Sequence, residues 1–177
     1  MEKIRVYVDL DDTLVDFTGA FKKLSDGISP NDYEKKYGIN SFFETILNPA
    51  GAKHWAELKW LPFGRALYSF LIERKEYIDL YILSTPSRAT SSIIGKTMWI
   101  MMNIKSDDIP INNIILDRKK EQYCTKPGCV LIDDRERNIE KWAEVGGVAL
   151  RFENNIVNLR EICTKIDKLI EEKKNEN

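Results

Sequence analysis

Histidine occurs once in the 177 residues, as His54, and cysteine three times, as Cys124, Cys129 and Cys163, with no CxxC pair among them. So few metal-binding and oxidisable residues point to neither a zinc cluster nor a disulfide framework, and the cysteines are read as reduced thiols. His54 is expected at the surface or in a hydrogen bond rather than as a catalytic base. Long apolar runs are missing too: no segment approaches the ~20 residues of a membrane span. The run after Met1 is too short for a signal peptide and ends in acids, so a cytoplasmic location is expected. Nor is there a surplus of charge, since 27 basic and 28 acidic residues leave a net −1. That balance argues against a stable nucleic-acid complex and for a small ligand. What remains is ordinary globular composition, 43% hydrophobic and 31% charged, with no repeat or low-complexity stretch. The length suits one core, at about 150 residues per domain, plus a small insertion.

The informative stretch is KIRVYVDLDDTLVDF, residues 3–17. An apolar run rich in β-branched residues (Ile4, Val6, Tyr7, Val8) stops at Asp9, Asp11 and Asp12, as expected of a central parallel strand covered on both faces and ending at a charged tip. In open α/β sheets ligands bind beyond the carboxyl ends of the strands, so these acids point toward a ligand. The spacing Asp9-x-Asp11 suits phosphoryl chemistry. One carboxylate attacks phosphorus, and the other gives a proton to the leaving oxygen and later takes one from water. Two anions facing a phosphate dianion need a hard cation, for which Mg²⁺ is the usual choice. The plainer reading of Asp9 to Asp12 is a polar turn capping a helix.

The rest of the chain alternates. Residues 18–63 lack any strand-like run and carry short helical patterns broken at Ser29-Pro30, Gly38, Asn48-Pro49, Gly51 and Pro62, and are unusually aromatic, with Tyr33, Tyr37, Phe42, Phe43, Trp55, Trp60 and Phe63 in a short span. This reads as a helical insertion with an aromatic core. Strands are expected at residues 77–83, 111–116, 128–132 and 148–152, with helices at 64–75, 89–104, 138–145 and 158–173 and a solvated tail after that. In the helix at 89–104 the apolar stripe is Ile93, Ile94, Met98, Ile100 and Met101. Its Gly95-Lys96-Thr97 is not a P-loop, because Thr90 stands where that motif needs glycine and no strand precedes it. Alternation of this kind predicts βαβ units and a mainly parallel sheet. Right-handed crossovers then bring Asp9, Asp11, Ser84, the basic turn at Lys119-Lys120 and Asp133-Asp134 to one edge.

The hhhh-D-x-D-x-T pattern resembles the first motif of the haloacid dehalogenase (HAD) superfamily, and DLDDTLVDF in particular resembles the opening of the 5'(3')-deoxyribonucleotidases. VLIDDRERNI, residues 130–139, is similar to the fourth motif. The resemblance spans essentially the whole chain. It implies a Rossmann-like parallel sheet flanked by helices (residues 1–16 and 64–177) with a small helical cap inserted after the first strand (residues 17–63). It also implies Asp9 as nucleophile and Asp11 as acid and base. Ser84, with Thr85 beside it, would bind the phosphoryl group together with Lys120 or Lys119, Lys120 being favoured. Mg²⁺ would sit among Asp9, Asp11 through its carbonyl, and one of Asp133 and Asp134, the latter favoured. In the deoxyribonucleotidases aromatic cap residues stack on the base, which nominates Phe17, Trp55 and Phe43, with Phe42 beside them. Asp12-Thr13 in place of Gly-Val, and Ser-Thr in place of Thr-Ser at the second motif, depart from that subfamily.

The function expected is Mg²⁺-dependent hydrolysis of a phosphomonoester, a nucleoside or deoxynucleoside monophosphate foremost, by a protein that needs no membrane and is compatible with a homodimer. The rival readings are a phosphatase for another small ester or a polynucleotide end, and a catalytically silent nucleotide-binding protein.

Overall fold

The structure, a computed structural model, describes residues 2–175. Five strands, β1 (Ile4–Val8), β2 (Ile78–Ser84), β3 (Ile114–Leu116), β4 (Val130–Asp133) and β5 (Val148–Arg151), pair in parallel in the order β3-β2-β1-β4-β5. The first strand is central because it can be buried on both sides. Val6 and Val8 pack with Ile82 and Ile132 on one face, and Tyr7 packs with Leu83, Leu131 and Trp142 on the other.

Among the described residues there are seven α-helices: α1 (Phe17–Leu24), α2 (Pro30–Ser41), α3 (Asn48–Ala56), α4 (Pro62–Ile72), α5 (Ser91–Asn103), α6 (Glu136–Glu144) and α7 (Ile156–Asn175). Among the described residues no helix is long and apolar enough to cross a membrane. The tail expected beyond residue 173 continues α7 to Asn175, and its last two residues lie outside the described ones.

Between β1 and α4 the chain leaves the sheet edge and returns beside itself. Val15 and Trp60 form an antiparallel bridge, and the Asp16 amide donates to the Lys59 carbonyl at 2.8 Å. The excursion holds α1, α2, one π-helical stretch (Phe42–Leu47) and α3. Ser29 caps α2, with Pro30 in its first turn, the arrangement favoured at helix starts. Gly38 and Gly51 take left-handed backbone (φ 81° and 66°) and kink α2 and α3, which is how the breaks in the sequence pattern are realised. Phe21 stacks on Phe42 at 4.8 Å with Tyr33 edge-on to Phe21, so the aromatics do form a core there.

Two expectations need correction. Residues 111–113 form a 3₁₀ turn, and only Ile114–Leu116 pair with β2. The side-chain amide of Asn113 is held by the Leu80 carbonyl at 3.0 Å. The second concerns α5, whose inward face is Ser92, Gly95, Lys96, Trp99 and Ile100, while Ile93, Ile94, Met98 and Met101 face outward. The inward face is chosen by backbone clearance and by charge rather than by apolarity. A Cβ on Gly95 would lie 2.3 Å from the Ala52 carbonyl oxygen, so only glycine lets α5 approach α3 this closely.

Candidate active site

Hydrogen bonds continue the sheet ladder past the strand ends and set the polar residues in register. The Asp9 amide donates to the Ile132 carbonyl, that of Asp117 to the Ser84 carbonyl and that of Phe152 to the Asp133 carbonyl. Asp9, Ser84 and Asp133 thereby share one edge although 124 positions separate the first and last. Beyond β1 the chain turns sharply. The Leu10 carbonyl accepts from the amides of Leu14 and Val15. Asp12 adopts left-handed backbone (φ 54°), and its carboxylate is held by the amide and hydroxyl of Thr18.

Asp9 is 4% exposed. The Lys120 ammonium lies 2.7 Å from its Oδ1 and 2.6 Å from Asp133 Oδ2. Burial alone would raise the pKa of Asp9, but the charges of Lys120 and Lys96 outweigh it and hold the carboxyl below its usual range. Burial would likewise lower that of Lys120, and Asp9 and Asp133 more than reverse this. Lys119 is not part of the cluster. Its side chain is exposed, because the 3₁₀ turn at Lys120–Tyr123 sends only Lys120 inward.

The two adjacent acids divide by environment. Asp133 is saturated, accepting from Lys120, from both Asn138 contacts and from the Arg135 amide. Asp134 Oδ1 is buried, and among the described residues it has no hydrogen-bond partner. Burial and the charges of Asp9, Asp133 and Asp12 push the Asp134 carboxyl up to about 8. One ligand oxygen each from Asp9, Asp133 and Asp134 lie within 4.8 Å of one another.

Asp11 has a partner that sequence reasoning missed. Lys96, wholly buried on α5, donates to Asp11 Oδ2 at 2.7 Å, to Ser84 Oγ at 3.0 Å and to the Thr85 carbonyl at 2.8 Å. Its ammonium also lies 5.3 Å from the Trp55 ring. Asp9, Asp11, Asp133 and Asp134 face Lys96 and Lys120, four carboxylates against two ammonium groups. The Arg135 guanidinium also acts on these four acids, and a divalent cation would offset the negative charge that is left.

A cavity of about 680 Å³ opens above this floor, with Asp9, Asp11, Thr85 and Asp134 below and Phe17 and Phe43 in its wall. Phe17 and Trp55 are stacked on each other (5.2 Å, 9°) and are 4% and 1% exposed, so their faces are spent on packing. Phe42 is buried in the insertion core, whereas Phe43 is half-buried, with the Arg88 guanidinium 5.6 Å from its ring. His54 is half-buried and edge-on to Trp55. Its Nε2 has no hydrogen-bond partner among the described residues, and burial lowers its pKa.

No protein-family model matches the chain, and no curated protein matches it in sequence. Solved structures match in fold. A HAD-superfamily hydrolase from Ehrlichia chaffeensis is similar over 96% of this chain and 100% of its own, with TM-score 0.57 and 15% identity. A HAD hydrolase of family IA, variant 3, from Entamoeba histolytica covers 86% and 85%, with TM-score 0.54 and 13% identity. A HAD family enzyme from Bacteroides thetaiotaomicron, solved as a magnesium complex, covers 87% and 95%, with TM-score 0.52 and 17% identity. The parallel sheet flanked by helices is thus the Rossmann-like α/β fold of the HAD hydrolases.

Proposed function

We propose that the protein is a Mg²⁺-dependent phosphomonoester hydrolase that works through an aspartyl-phosphate on Asp9, with nucleoside and deoxynucleoside monophosphates as its substrate class. The observation that carries this reading is the meeting of Asp9, Lys120 and the unpartnered Asp134 oxygen at one sheet edge. An inert scaffold has no reason to gather four acids there, two of them buried. Asp9 and Asp134 would hold the metal with the Asp11 carbonyl, and Asp133, already saturated, would hold Lys120. Magnesium, when bound, would offset the residual negative charge of the acids and polarise the phosphoryl oxygens.

Asp9, kept ionised by its lysines, attacks phosphorus as the bond to the leaving oxygen breaks. Protonated Asp11 gives its proton to that oxygen. It then takes one from the water that cleaves the acyl phosphate, returning to its starting state with free phosphate released. Ser84, Thr85 and Lys120 bind the phosphoryl oxygens, a task in which positioning and charge do most of the work.

Residues 17–63 act in this reading as a cap whose roof selects the substrate. Phe43, edge-on to Phe42 and flanked by Arg88, offers the ring-sized platform. The test is turnover of p-nitrophenyl phosphate and of a panel of nucleoside monophosphates, sugar phosphates and 5'- or 3'-phosphorylated oligonucleotides, with and without Mg²⁺. Metal-dependent turnover with monophosphates preferred is expected. A sugar phosphate or an oligonucleotide end preferred over every mononucleotide would move the substrate class, and no turnover of any ester with tight nucleotide binding would favour a silent binding protein.

A further inference from the structure

Lys96 is the one charged residue in the thirteen of α5, and a lysine with no solvent exposure is costly to desolvate unless fully partnered. It is fully partnered. Three N–H groups meet three acceptors: Asp11 Oδ2, Ser84 Oγ and the Thr85 carbonyl. An ammonium only donates, and this decides the state of both side chains it touches. Ser84 Oγ accepts from Lys96, so its own proton is left for another acceptor, and among the described residues no bond spends it. Asp11 Oδ2 is likewise committed as an acceptor. Its Oδ1 is buried without a partner among the described residues, on a residue that lines the cavity. When Asp11 carries a proton, that proton belongs on Oδ1.

We propose that Lys96 is a positioning residue. By occupying one oxygen of Asp11 and the lone pair of Ser84, it directs the Asp11 proton to the departing oxygen and the Ser84 proton to the phosphoryl group. The proposal rests on the phosphatase reading above. The logic is that of a base oriented by a third group, with a cation as the orienting partner. The same residue ties floor to roof. Gly95 brings α5 against Ala52 and Trp55, and the Trp55 ring adjoins the ammonium, so seating of the insertion and placement of the proton depend on one contact.

A leaving-group comparison tests this. p-Nitrophenolate departs without a proton, and a simple alkoxide does not. Wild type, Lys96→Met and Lys96→Arg are assayed with Mg²⁺ on p-nitrophenyl phosphate and on an alkyl phosphate, with inhibition by inorganic phosphate measured alongside. Lys96→Met is expected to lose about 10²-fold more kcat on the alkyl ester than on the aryl ester, the scale of a misplaced acid. Phosphate inhibition should change less than about threefold. Arginine, also donor-only, should keep the ratio of the two esters within about threefold of wild type. Equal losses on both esters, or phosphate affinity falling in step with kcat, would overturn the proposal and make Lys96 a phosphate ligand or a packing residue. Should Lys96→Met fail to fold, the arginine variant decides: a large shift in its ester ratio overturns the proposal, and a preserved one supports it. Wild type inert on both esters would instead remove the phosphatase reading on which the proposal stands.

Discussion

The floor and the roof of the cavity are built on different principles. On the floor, strand ends and the backbone ladder hold Asp9, Ser84 and Asp133 in register, and Lys120, Lys96 and Asn138 lock their side chains with bonds of 2.6–3.0 Å. In the roof, α2 and α3 are kinked at Gly38 and Gly51, and the helices cohere by ring packing. Charged hydrogen-bond networks fix geometry, whereas aromatic packing fixes shape and tolerates adjustment. In the proposed function chemistry would belong to the floor and selection to the roof, and substitutions should divide the same way.

The largest effect is expected on the floor. Asp9→Asn keeps the volume and removes the proposed nucleophile, so kcat should fall at least ~10³-fold with the fold intact by circular dichroism. Asp134→Asn should follow, with Mg²⁺ affinity about 10–100-fold weaker by calorimetry and a metal-free melting temperature that falls less as pH rises than that of wild type.

The same residue yields a pH dependence. Without metal its folded pKa of about 8 stands above the unfolded value of about 4. An acid raised in this way favours the folded state only while protonated. Metal-free protein should therefore lose stability as pH climbs from about 4 to about 8, and Mg²⁺ should raise the melting temperature more at pH 8 than at pH 5. An increment independent of pH would place the ion elsewhere.

At the seam between floor and roof, Gly95→Val should cost ~1–3 kcal/mol of stability, because its Cβ would meet Ala52 and Trp55. The smallest effect is expected in the roof. Phe43→Ala should raise KM for a nucleoside monophosphate about tenfold, matching ~1–3 kcal/mol for a stacked base, and leave p-nitrophenyl phosphate untouched. Equal effects on the two substrates would erase the distinction between the regions.

How far this was legible in the sequence follows the same division. The floor could be read because its residues sit where apolar runs end: β1 stops at Asp9 and β4 at Asp133, and a parallel topology then dictates convergence. Lys96 could not be read that way. It lies within a helix whose most visible stripe, Ile93, Ile94, Met98 and Met101, turned outward. Its three acceptors come from segments 11 to 85 positions away. The clue was there in a lone charge within an otherwise uncharged helix, set beside a glycine. In the roof, the aromatic core was evident from composition. Composition does not say which rings spend their faces on one another, as Phe17 and Trp55 do.

The central claim is that Asp9 carries the phosphoryl group. It is tested most directly by acid-quenching the enzyme during turnover with Mg²⁺ and locating the modification by mass spectrometry. The account predicts one phosphoryl group on the peptide containing Asp9 and none in Asp9→Asn. Turnover that proceeds with Asp9 unmodified, or a phosphoryl group found on another residue, would contradict it.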